Sequence, residues 1–154
     1  MSKPINIFIL FICVSVGFTS FTPKQKNVLV EGDLSVIVNA KGAPSDIGMP
    51  KLKKILKGEQ QRWDDGTKIL LALMKTSTGT GMKMTAQVYL MTNNELNKYF
   101  LAQVFQGKMS SPEFFDSETD LINYVKTKPG AIGIISTVNA SGITVLSVDG
   151  KKSL

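Results

Sequence analysis

Histidine is absent from this chain of 154 residues, and cysteine occurs once, at position 13. The first absence removes the side chain most often used as a general base and as a zinc ligand. The second leaves no pair for a disulfide, and Cys13 sits in an apolar run where its neighbour Ile12 does not suit lipidation. Little catalytic chemistry survives these gaps. Ser77 has no histidine to activate it, and no serine is followed three residues later by a lysine. Asp64 and Asp65 adjoin just before Gly66, which signals a turn and not the spaced oxygen ligands of a calcium loop. Thr78-Gly-Thr-Gly81 lacks the Gly-Lys-Ser/Thr ending of a nucleotide phosphate loop. A dense basic stripe interleaved with aromatics is also missing, which argues against a nucleic-acid surface. The expectation is a protein that is not an enzyme and needs no metal or cofactor.

Charge and hydropathy are distributed unevenly. The net charge of +6 at pH 7 favours anionic partners through long-range attraction. The lysines are scattered, however, and Lys51, Lys53, Lys54 and Lys57 read as one solvated helix face. At the start, Lys3 precedes an apolar run from Ile5 to Phe18 that only Asn6 and Ser15 interrupt. A basic residue followed by an apolar run shorter than the ~20 residues that span a bilayer reads as a secretory leader. Residues 1–20 are therefore expected to be a signal peptide and residues 21–154 one domain, exported to the periplasm or cell envelope. An uncleaved N-terminal anchor is the alternative.

Along the rest of the chain, apolar strands alternate with helical segments. Val28 to Val30 reads as a short strand and Leu34 to Asn39 as a clearer one, closed by Lys41-Gly-Ala-Pro44. Ser45 or Asp46 would cap a helix from Pro50 to Leu56, with Leu52, Ile55 and Leu56 inward and Gly58 at its end. Arg62 to Gly66 is a polar turn before a buried strand, Lys68 to Met74. Helices are expected over Met82 to Thr92 and Asn94 to Phe105, the latter ended by Gly107. Ser110 to Pro112 reads as a loop, and Ser117 caps a helix from Glu118 to Lys126. Pro129-Gly130 breaks it before two more strands, Ala131 to Ile135 and Ile143 to Val148, and a polar tail. This order gives an α/β protein with a mixed or largely parallel sheet. Trp63, Tyr99, Phe100 and Phe105 read as core aromatics, and the sequon Asn139-Ala-Ser141 as coincidental.

One turn carries more information than the others. Thr76-Ser-Thr-Gly-Thr-Gly81 follows an apolar strand and opens a helix. The first amides of a helix lack intrahelical acceptors and carry partial positive charge, which suits an anion. Glycines permit close approach of backbone to ligand, and the hydroxyls of Ser77, Thr78 and Thr80 can donate. The same residue types also serve as plain helix caps, with no ligand involved.

Several segments in order resemble the phosphate-binding proteins of ABC transporters. They are Leu34-Ser-Val-Ile-Val-Asn39, Leu52-x-x-Ile55-x-x-Gly58, Trp63-x-Asp65-Gly66-Thr-Lys-Ile69 and Ser77-Thr-Gly-Thr80. Phe105-Gln-Gly107-Lys108 and Lys128-Pro-Gly130-Ala-Ile-Gly133 continue the likeness, which runs from about Val28 to Ser136. Members are type II periplasmic binding proteins with two α/β lobes that close on an oxyanion. The resemblance implies a single lobe, mainly the second, with a mixed sheet flanked by helices. It implies that Ser77, Thr78, Gly79 and Thr80 bind phosphate or a similar oxyanion, with Lys75 beside them. The family places an arginine four residues before the hydroxyl that matches Thr78, where this chain has Met74. Most of the first lobe, including the carboxylate that distinguishes protonated phosphate from sulfate, is by this resemblance not represented here. Expected partners are thus inorganic phosphate or a similar oxyanion, together with an ABC transporter membrane component or a second lobe or protomer. The other reading is a noncatalytic envelope module that binds protein on the same scaffold.

Overall fold

The computed structural model describes residues 33–154, which lie in one compact unit. The leader, Cys13 and the Val28 to Val30 strand lie outside the described residues. Strands β1 (Leu34–Val38), β2 (Asp46–Ile47), β3 (Leu70–Met74), β4 (Glu113–Phe115), β5 (Ala131–Ser136) and β6 (Thr144–Val148) form one sheet. Their spatial order is β2-β6-β1-β5-β3-β4. β3 runs parallel to both β4 and β5, whereas β1 is antiparallel to its neighbours β5 and β6. The sheet is mixed, as the alternation of elements implied.

The central strands β1, β3 and β5 read as nearly continuous apolar runs, with Ser35 the one polar residue inside them, because both of their faces are covered. Leu34, Val36 and Val38 of β1, Leu71 and Leu73 of β3, and Ile132 and Ile134 of β5 share one core cluster. That cluster includes residues of helices α1 (Met49–Leu56), α2 (Gly79–Met84) and α3 (Asn93–Phe105). The alternate positions Ile37, Ala72, Met74, Ala131 and Ile135 pack with Leu121 and Val125 of α4 (Glu118–Thr127). Helices therefore cover both faces of the sheet. Gly133 of β5 lies under α4, where an added Cβ would come within 2.6 Å of Leu121 Cδ2.

Several boundaries depart from the sequence reading. Neither Ser45 nor Asp46 caps α1: Asp46 pairs with Ser147 in β2, and Gly48 is the N-cap. The helix expected from Met82 begins at Gly79, because the Thr78 side chain accepts the Gly81 amide as its cap. It continues as a π-helical turn, Thr85–Tyr89, and stops at Leu90 in a left-handed conformation, φ 54°. α3 starts at Asn93 behind a capping box in which Thr92 and Glu95 satisfy each other's amides. Glu113 to Phe115, unassigned in the sequence, add an edge strand. Phe105 is not core: it is 83% exposed, unlike Trp63 at 2% and Phe100 at 4%. The last residues are tied down, with the Leu154 amide donating to the Leu34 carbonyl at 2.7 Å.

Tyrosines complete the layer that carries α1. Tyr89 Oη donates to the Leu56 carbonyl at 3.1 Å and Tyr99 Oη to the Lys57 carbonyl at 2.8 Å, satisfying groups the end of α1 leaves open. Burial pushes the Tyr89 hydroxyl well above the ordinary phenol range, so it stays a donor. Phe100 packs edge-on against Tyr89, Tyr99 and Phe114, at centroid distances of 5.6, 5.8 and 6.0 Å.

Candidate functional site

Because β3, β4 and β5 are mutually parallel, their carboxyl ends gather at one end of the sheet, where ligands of open α/β sheets bind. The chain leaves β3 at Lys75, β4 at Asp116 and β5 at Thr137. All residues singled out in the turn lie here. Lys75 is exposed, and its Nζ pairs with Asp116 Oδ2 at 2.6 Å. Ser77 is exposed at the tip of the turn, and Gly79 and Thr80 are the first two residues of α2. Their amides have no acceptor within the helix.

Thr78 and Thr80 are engaged within the protein. Thr78 Oγ1 donates to the Lys75 carbonyl at 2.8 Å and accepts the Gly81 amide at 3.0 Å. Thr80 Oγ1 donates to Glu118 Oε1. Gly81 is required by the tightness of this turn, since a Cβ there would lie 1.9 Å from the Lys75 carbonyl oxygen. Asn93 Nδ2 holds the turn from the far side through the Thr76 carbonyl at 3.2 Å. Met74, where the resembling family has arginine, is 2% exposed and packs in the core with α4.

Glu118, read from the sequence only as a helix start, was not among the expected site residues. It is the first residue of α4, after the Ser117 N-cap. Its carboxylate accepts from the Thr80 hydroxyl, from the Ser136 amide at 3.0 Å and from Asn139 Nδ2. Thr80 and Glu118 are 38 residues apart in sequence, so no local spacing could have flagged the pair. Two carboxylates, Asp116 and Glu118, thus stand beside the turn together with the Lys75 ammonium.

Two cavities among the described residues lie away from the turn. One of about 50 Å³ is lined by Gly58, Gln61, Leu71, Met109, Glu113 and Tyr124. A groove of about 210 Å³ runs between α3 and β4, lined by Phe100, Leu101, Val104, Pro112 and Phe114. Neither touches the turn. Among the described residues, no group of acidic, cysteine or histidine side chains could hold a metal ion.

No protein-family model matches this chain, and no curated protein does. Solved structures do match it in fold. An ABC-type phosphate transport receptor from Vibrio cholerae aligns with a TM-score of 0.63 at 15% identity, over 80% of this chain and 49% of its own. PstS from Borrelia burgdorferi aligns at 0.61 and 22%, over 80% and 49%. A Clostridium perfringens structure with bound phosphate, described as a phosphate ABC transporter substrate-binding protein, aligns at 0.62 and 16%, over 79% and 47%. The present chain thus spans about half the length of the structures it matches. Its α/β fold, a mixed sheet flanked by helices, is that of about half of such a binding protein.

Proposed function

We propose that this chain is a noncatalytic, exported solute-binding protein that takes phosphate or a similar oxyanion at the turn Lys75 to Thr80, in phosphate uptake. The observation that carries the proposal is the position of that turn. It joins the carboxyl end of a central parallel strand to a helix start, with Ser77 and the leading amides on the outside. In this reading Ser77, Gly79 and Thr80 contact the anion, Thr78 holds the turn in shape, and Lys75 supplies charge. The fold shared with receptors described as phosphate-binding supports the same ligand class. A lone lobe leaves the anion open to solvent, where charge interactions are weak. A second lobe, a second protomer or an ABC transporter membrane component would close the site.

The test is isothermal titration of the full chain with phosphate and with sulfate at low ionic strength. Phosphate binding that is lost in Thr78→Ala/Thr80→Ala, with the fold retained by circular dichroism, supports the proposal. No binding of either anion refutes it.

A second reading, an envelope module that binds protein, is favoured by one feature. Leu101 and Phe105 are 59% and 83% exposed beside the groove between α3 and β4. Anion-independent function that survives changes at Lys75, Thr78 and Thr80 but fails in Leu101→Ser/Phe105→Ser would establish it.

A further inference from the structure

The donors around Glu118 arrive from three separate elements. The Thr80 hydroxyl comes from α2, the Ser136 amide from the end of β5, and the Asn139 amide group from the turn that follows it. Together they make a seat for an oxyanion, and the group held in that seat is the protein's own carboxylate. Thr80 has a single hydroxyl proton, and Glu118 takes it. A fully ionised ligand approaching the Thr80 hydroxyl therefore meets oxygen lone pairs and the Glu118 carboxylate instead of a free donor.

Resting on the oxyanion reading above, we propose that Glu118 sets the anion affinity of this site by occupying, as an internal carboxylate, donors that an oxyanion would use. A solute anion reaches Thr80 when the Glu118 side chain swings out of the seat. Affinity is then the difference between two competing carboxylate-like occupants. Asp116 acts in the same direction more weakly, through the ion pair that holds Lys75 at 2.6 Å in solvent.

The experiment is isothermal titration of phosphate and sulfate into the full chain, into Glu118→Ala and into Glu118→Gln, each checked for fold by circular dichroism. Emptying the seat and removing a like charge is expected to tighten anion binding about tenfold in Glu118→Ala. Glu118→Gln keeps the shape and removes the charge, so its gain is smaller but has the same sign. A structural role alone would lower stability without raising affinity. If Glu118→Ala does not fold, Glu118→Gln decides the matter. Folded variants that bind anion no tighter than the unaltered chain overturn the proposal and leave the oxyanion reading standing. Absence of binding in all three proteins overturns both.

Discussion

At one end of the central sheet Trp63, Asn39 and Gly130 are buried and interlocked; at the other, Lys75, Ser77 and Asp116 stand in solvent. The buried end is held by exact partners for every polar group involved. Trp63 Nε1 donates to the Gly130 carbonyl at 3.0 Å, and the Gly130 amide donates to the Lys41 carbonyl at 3.1 Å. Gly130 has φ +78°, and a Cβ there would sit 2.2 Å from the Lys68 carbonyl oxygen. Asn39 Nδ2 donates to the carbonyls of Val125 and Lys126 at 2.8 and 3.0 Å, satisfying the last turn of α4. At the solvent end Lys75 and Asp116 pair with each other, and both stay exposed. Motifs around Trp63 and Pro129-Gly130 thus lock the buried end of the fold, whereas those around Thr78 shape a turn at the surface.

This difference can be broken at either end. The largest effect is expected for Trp63→Ala, which deletes a buried aromatic and leaves the Gly130 carbonyl with the Leu70 amide as its remaining donor. It should lower the unfolding free energy by about 3 to 5 kcal/mol in a urea titration. Asn39→Ala, at the same end, should cost about 1 to 3 kcal/mol by leaving buried groups without partners. Thr78→Ala, at the solvent end, should cost about 1 kcal/mol, the usual value of a lost N-cap, while abolishing anion binding. Lys75→Met removes an exposed ion pair worth at most about 1 kcal/mol, so anion affinity is expected to fall with stability nearly unchanged. A stability loss in Lys75→Met as large as that in Asn39→Ala would erase the contrast.

The smallest effect concerns pH. The Thr92 amide donating to Glu95 holds this carboxyl below the ordinary carboxylate range. A depressed folded value means a contribution present above the unfolded value and lost as pH falls through the folded one. Glu95→Gln should therefore slightly reduce stability near neutrality and flatten the acid side of the stability profile.

How much of this was legible in the sequence depended on which face of each residue met protein. β1, β3 and β5 were readable because burial on both faces makes them nearly continuous apolar runs. β4 was not, since Glu113-Phe-Phe115 is three residues long and its assignment comes from pairing with Ala72, Leu73 and Met74. The start of α2 was hidden because Gly79 and Gly81 are poor helix formers, and only the Thr78 cap reveals it. Thr92-x-x-Glu95 is a capping-box signature that the reading of a helix from Asn94 passed over, and it starts α3 at Asn93. Phe105 shares helical spacing with Leu101 and not with Leu96 and Phe100, which is why it faces outward. Trp63 lies in a polar turn yet is buried, because its indole anchors a chain reversal 67 residues away. Glu118 belongs to the same class of long-range partner, and its role at Thr80 required the folded arrangement.

The most direct test of the account is amide chemical-shift mapping of the chain as phosphate is added at low ionic strength. Shifts confined to Lys75 to Gly81 and Ser136 to Asn139, with Trp63 and Gly130 unmoved, are the predicted result. Shifts centred on the lysine face of α1, or none at saturating phosphate, would contradict it.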